Sequence, residues 1–208
     1  SLITNIEFQE ISINQFIGTF DGLLAYIDQS NVITIDSILI SNSILGYSLI
    51  TIDGNYLANV SVSKLGINSI IPNERFQYSI LDLKNLENVY LSAISSKNLS
   101  NGNILKLANI QMATLKDIAI ISKNISINII PLIDINLIQN FTIEGVKIEF
   151  QNSQIFIFYL RESFGKVDNL NYTNNLEDQN YNSNLSYPII KIKNSFLQIL
   201  NVDLKNIN

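Results

Sequence analysis

Asp28 and Asp53 are the residues of this chain whose placement comes nearest to chemistry. Each directly follows an apolar–x–apolar pair, Ala25/Ile27 and Ile50/Ile52. If those pairs are strands stacked side by side, the two carboxylates stand one strand spacing apart, about 4.8 Å. Like charges that close need a cation, an intervening donor or solvent. Calcium would suit, because it takes carboxylate and carbonyl oxygens; a solvated pair at two corners needs no ion, and no metal cluster is expected. A second candidate lies in the polar stretch 173–188, which presents Tyr181 and Tyr187 among amides beside the acid pair Glu177/Asp178. Rings with adaptable amides suit contact with sugars or protein, although an inert polar insertion has the same composition. A third candidate is covalent. Asn-x-Ser/Thr occurs at Asn59, Asn98, Asn124, Asn140, Asn171 and Asn184, which are N-glycan acceptors if the chain is secreted.

Composition removes most other chemistry. The 208 residues include no Cys and no His, so there is no thiol or imidazole nucleophile, no Ser/His/Asp triad, no zinc-finger site and no disulfide framework. Catalysis would rest on carboxylates, Lys, Tyr, or the two arginines Arg75 and Arg161, and no catalytic residue or cofactor is assigned. A net charge of −5 and a pI near 4.7 argue against nucleic acid or an anionic membrane as partner, since both demand clustered Lys/Arg. The most apolar stretch, 125–138, is broken by Asn128, Pro131, Asp134 and Asn136, short of the roughly 18 apolar residues of a membrane span. The chain opens at Ser1 without a basic-then-apolar leader and reads as a piece of a longer protein.

The elements that must position these residues are written as a repeat. An apolar–x–x–apolar–x–apolar signature recurs at Phe8/Ile11/Ile13, Ile35/Ile38/Ile40, Leu57/Val60/Val62, Leu91/Ile94/Ser96, Leu115/Ile118/Ile120, Ile143/Val146/Ile148, Val167/Leu170/Tyr172 and Ile199/Val202/Leu204. A second, apolar–x–apolar signature precedes seven of these: Ala25/Ile27, Ile50/Ile52, Leu81/Leu83, Leu105/Leu107, Ile133/Ile135, Ile157/Tyr159 and Ile190/Ile192. Successive signatures are 27, 22, 34, 24, 28, 24 and 32 residues apart, the period of a solenoid coil. Two short strands per coil joined by polar corners cannot bury their apolar side chains alone, and stacked coils solve that problem. One interior column then runs Ile27, Ile52, Leu83, Leu107, Ile135, Tyr159, Ile192. Asp82, Lys106 and Asp134 point outward on consecutive coils, alternating in charge and holding register. Residues 63–79 and 173–188 depart from the coil and are expected to protrude.

The stretch Gly22-Leu-Leu-Ala-Tyr-Ile-Asp-Gln-Ser-Asn-Val-Ile-Thr-Ile-Asp-Ser-Ile-Leu-Ile-Ser-Asn42, echoed by Gly102–Asn109 and Tyr187–Asn194, resembles the right-handed parallel β-helix of the pectin-lyase-like superfamily. Within it the likeness is to the large repeat-containing surface proteins of ciliate-type protists. A leucine-rich repeat shares the spacing, but its Asn falls three residues after the last apolar position, whereas Asn42, Asn98, Asn174 and Asn206 fall two after. The expected fold is therefore all-β, a right-handed parallel β-helix of about eight coils forming a single segment over 1–208. The superfamily's polysaccharide lyases and hydrolases carry acid clusters on neighbouring coils, a motif this chain does not match.

The resemblance implies an extracellular or cell-surface location and a non-catalytic structural or interaction module of a β-helical rod, coat or filament. Expected partners are other chains or further repeats of the same chain, with glycans as a further class. A carbohydrate-binding adhesin module is the alternative, and a lyase or hydrolase relic a more distant one.

Overall fold

The computed structural model describes residues 5–18, 25–28, 30–45, 48–72, 79–99, 103–123, 130–151, 156–175 and 189–205. Every strand pairing among them is parallel, and together they form one all-β solenoid. Among the described residues no helix is long and apolar enough to cross a membrane.

Each coil contributes to three columns of stacked strands. The first column holds β4 (Ala25–Asp28), β7 (Ile50–Asp53), the starts of β10 (Ser79–Leu99), β11 (Asn103–Lys123) and β12 (Ile133–Gln151), then β13 (Phe158–Arg161) and β15 (Ile190–Lys193). The second column starts at β1 (Asn5–Phe8), β5 (Val32–Ile35) and β8 (Asn59–Val62). It continues through the middles of β10, β11 and β12 to β14 (Phe164–Asn175) and β16 (Phe196–Lys205). The third column comprises β2 (Ile11–Asn14), β6 (Ile38–Leu45), β9 (Leu65–Pro72) and the distal parts of the longer strands, with β3 (Ile17–Gly18) beside β6.

Inward positions stack like on like. In the second column Phe8, Ile35, Val62, Leu91, Leu115, Ile143, Val167 and Ile199 are direct partners from coil to coil. Burying a branched aliphatic side chain contributes about 1.5–3 kcal/mol, and here one continuous core collects such residues from every interior coil. About five turns are regular, fewer than the expected eight coils. The second column does carry eight rungs, but residues of the outer ones are only partly covered, such as Ile6, Phe8 and Leu197.

The corners account for part of the asparagine content. Among the described residues fifteen non-glycine residues have positive φ, and seven of them are Asn. The left-handed region penalises most side chains, whereas Asn tolerates it through local hydrogen bonding. These residues stack in columns. Asn85, Asn109, Leu137, Glu162 and Asn194 occupy one corner, and Ala93, Asp117, Gly145, Asn169 and Asn201 another. A further corner, within the third column, is made by Gln15, Asn42, Ser69 and Asn98.

Four expectations need correction. The third occurrence of the long signature is Val62/Leu65/Ile67, not Leu57/Val60/Val62, because Val62 pairs with Ile35 and Leu91 and Leu65 pairs with Ile38 and Ile94. Leu57 is 66% exposed. The shift turns the irregular spacings of 22 and 34 into 27 and 29. Consequently residues 63–79 are not simply a protrusion: β9 occupies Leu65–Pro72 between β6 and β10, and 73–78, with Arg75, lie outside the described residues. In the first column Leu160, not Tyr159, is the interior residue, since it pairs with Ile135 and Ile192 while Tyr159 faces outward. The coil has three strand columns where two were expected, because the two-residue gap inside the long signature is itself a corner.

Candidate functional site

The outward face of the first column is the most densely functionalised surface in the described residues. A four-residue strand leaves two side chains outward per coil, and here most of them are charged. Asp28 and Asp53 are direct register partners, so the structure does bring them together. Asp53 is already served from within the chain: Lys84 Nζ lies 3.1 Å from its Oδ2, and Asn85 Nδ2 donates to its Oδ1 at 2.7 Å. The hydrogen bond from Lys84 itself to Asp53 is the main reason its ammonium is held above its ordinary pKa. One coordinating oxygen is thus committed to an amide and the other to a cation, which is a poor start for a calcium site. No group of three or more acidic ligands exists among the described residues.

The alternating ladder continues along this face. Asp82, Lys106 and Asp134 are consecutive register partners, with Lys106 Nζ 3.5 Å from Asp82. Arg161 Nη2 donates to both oxygens of Asp134, at 3.0 and 2.9 Å. The Tyr159 ring packs against two cations, the Arg161 guanidinium 5.0 Å and Lys191 Nζ 5.2 Å from its centroid. Asp82 Oδ1 and Arg161 Nε are buried without a hydrogen-bond partner among the described residues. The Arg161–Asp134–Tyr159 cluster was not anticipated. Its signal was available in the outward positions one coil apart, once Leu160 is taken as the interior residue.

The second column's outward face carries a different surface. Val32, Tyr90 and Met112 are exposed around a groove of about 230 Å³. Asn88 Nδ2 donates to Asn59 Oδ1 at 2.7 Å across its floor, and Ser61 and Thr114 add hydroxyls to a lining without formal charge.

The glycan acceptors divide by accessibility. Asn98, Asn140 and Asn171 are exposed, whereas Asn59 is half-buried and bonded to Asn88. Asn124 and Asn184 lie outside the described residues, as do Glu177, Asp178, Tyr181 and Tyr187. Of the stretch 173–188, Thr173 to Asn175 belong to β14 and pair with β12 or β16.

At the last rung the core pattern persists without cover. Phe196, Ile199, Val202 and Leu204 on β16 are all exposed.

Comparison with family models, with curated proteins and with solved structures gives no significant match.

Proposed function

We propose that this chain is a non-catalytic structural and interaction module, one stretch of a β-helical rod of the cell surface or extracellular space. The observation that carries this reading is how the outward charges are used. Asp53–Lys84, Asp82–Lys106 and Asp134–Arg161 each bridge one coil to the next. They lock stacking register along the axis and do not converge on a concavity, as groups acting on a substrate would. The sequence likeness to pectin-lyase-like surface repeat proteins of ciliate-type protists supports the location.

Mapping glycopeptides on protein from its native source tests the reading. Glycans at Asn98, Asn140 or Asn171, on a particle that is elongated by electron microscopy, are expected. Bare acceptors on a cytosolic protein overturn it.

A second reading, a carbohydrate-binding adhesin module, is favoured by one feature, the uncharged groove around Tyr90. An aromatic face with flanking amides and hydroxyls suits a neutral sugar ring. Binding on a glycan panel that Tyr90→Ala abolishes would support this reading, and a blank panel removes it.

A further inference from the structure

The charged face of the first column is graded along the solenoid. Its first two rungs, β4 and β7, carry only acids, Asp28 and Asp53; its last two, β13 and β15, carry only bases, Arg161, Lys191 and Lys193. Between them Lys84, Lys106, Asp82 and Asp134 balance. The face therefore holds five cations and four carboxylates, a net +1, in a chain whose net charge is −5, which leaves −6 on the rest of the chain. Two copies approaching by their other surfaces repel; approaching by this one they do not.

We propose that this face is a self-association surface on which a second copy of the chain lies antiparallel. Antiparallel alignment sets the acidic end of each copy over the basic end of the other, so one complementary contact is made twice, the hallmark of a two-fold interface. Parallel alignment sets acid on acid and base on base. In the antiparallel arrangement Asp28 approaches the second copy's Lys193, and Tyr26, exposed beside Asp28, approaches its Lys191. Lys191 already packs against one tyrosine, Tyr159, in its own chain. At the centre Lys106 lies over the second copy's Lys106, one rung along the axis from its Asp82 and Asp134, so the middle rungs add no complementarity and the attraction comes from the two ends.

Asp28, Lys191 and Lys193 are the groups with charge to offer, because among the described residues none of them is in an ion pair. Seven four-residue rungs present about 400 Å² per copy, below a standard stable interface. The association is therefore weak, concentration-dependent and screened by salt. This proposal deepens the rod reading: it specifies how rods pair sideways.

Sedimentation velocity of the purified chain at low and high salt tests it, with circular dichroism verifying the fold of each variant. The wild type is expected to self-associate at low salt and to dissociate at about 0.5 M, where the Debye length falls to about 4 Å. Asp28→Lys and Lys193→Glu each place like charges opposite one another and should abolish association. The double variant D28K/K193E exchanges the two signs and should restore it. A wild type that stays monomeric at low salt and high concentration overturns the proposal, as does association that either single reversal leaves intact. Neither result touches the rod reading, which stands or falls on the location and shape of the native protein.

Discussion

Gly165 sits directly beside Phe141 in the parallel ladder, and the phenylalanine occupies the space a side chain at 165 would need. A Cβ on Gly165 would stand 2.5 Å from Phe141 Cγ and closer still to its carbonyl oxygen. On the other side of Phe141 the partner is Ala113. A fully buried ring thus takes its room from a small residue above and another below, which is how a like-on-like stack absorbs one oversized member at interior packing density. Gly165→Ala should cost about 3 kcal/mol, the upper end of overpacking, because backbone as well as a ring must shift. Chemical denaturation measures this. The G165A/F141L double variant should lose less than the sum of its parts, since the smaller side chain vacates the contested space. Strict additivity would show that the two residues do not compete.

Ser96 breaks the third column from within. It stacks between Ile67 and Ile120, is 1% exposed, and its hydroxyl has no hydrogen-bond partner among the described residues. A buried unpaired hydroxyl costs about 1–3 kcal/mol of desolvation. Ser96→Ala removes the polar atom at nearly constant volume, and the expected outcome is a gain of about 1 kcal/mol, read from the urea midpoint. A loss of similar size would mean that the hydroxyl has a partner in solution.

Leu137 is a misfit at its corner. Its φ is 56° in a column otherwise made by Asn85, Asn109, Glu162 and Asn194, and its side chain is 45% exposed. A left-handed conformation costs an ordinary residue roughly 1–2 kcal/mol, and nothing is recovered by burial here. Leu137→Asn restores the residue type of its neighbours and should raise stability by about 1 kcal/mol. Leu137→Val, β-branched and worse in this region, should lower it. The ordering Asn above Leu above Val is the test, and any other ordering contradicts the corner argument.

The fold was legible because burial enforces it. Inward residues such as Ile135 and Leu115 are apolar on nearly every interior coil, so periodicity recovers the stacked solenoid, though not the corner that divides the long signature into two columns. Register was less legible where residues on both sides of the backbone are apolar. Leu57 imitated an inward residue only because it precedes Val60 by three, and Ile157 imitated one because Phe156, Ile157 and Phe158 are all buried. The charged face was half legible. Asp82, Lys106 and Asp134 were placed correctly, but Arg161 entered the ladder only when the register of β13 moved by one residue. Which surface is concave is a property of how coils stack, so the groove at Tyr90, drawn from four coils, left no mark in local sequence.

Alkaline pH should destabilise the solenoid through two groups. Tyr172 is buried, and burial raises its pKa above the ordinary tyrosine value of about 10. The native state therefore keeps a proton that the unfolded chain gives up at lower pH. The associated stability is complete below the unfolded pKa and falls as pH climbs through the native one. Lys84 has the same sign, because its hydrogen bond to Asp53 raises its pKa and is lost on deprotonation; being largely solvent-exposed, it contributes less. Denaturation midpoints should thus be flat from pH 7 to about 9 and decline above about 10. Tyr172→Phe keeps the ring against Phe150, whose centroid is 6.0 Å away, and removes the titrating hydroxyl. The decline should be shallower in that variant, and shallower again with Asp53→Asn added. An unchanged decline in Tyr172→Phe would show that the phenol ionises as readily in the folded chain as in the unfolded one, and the burial argument for Tyr172 would fail.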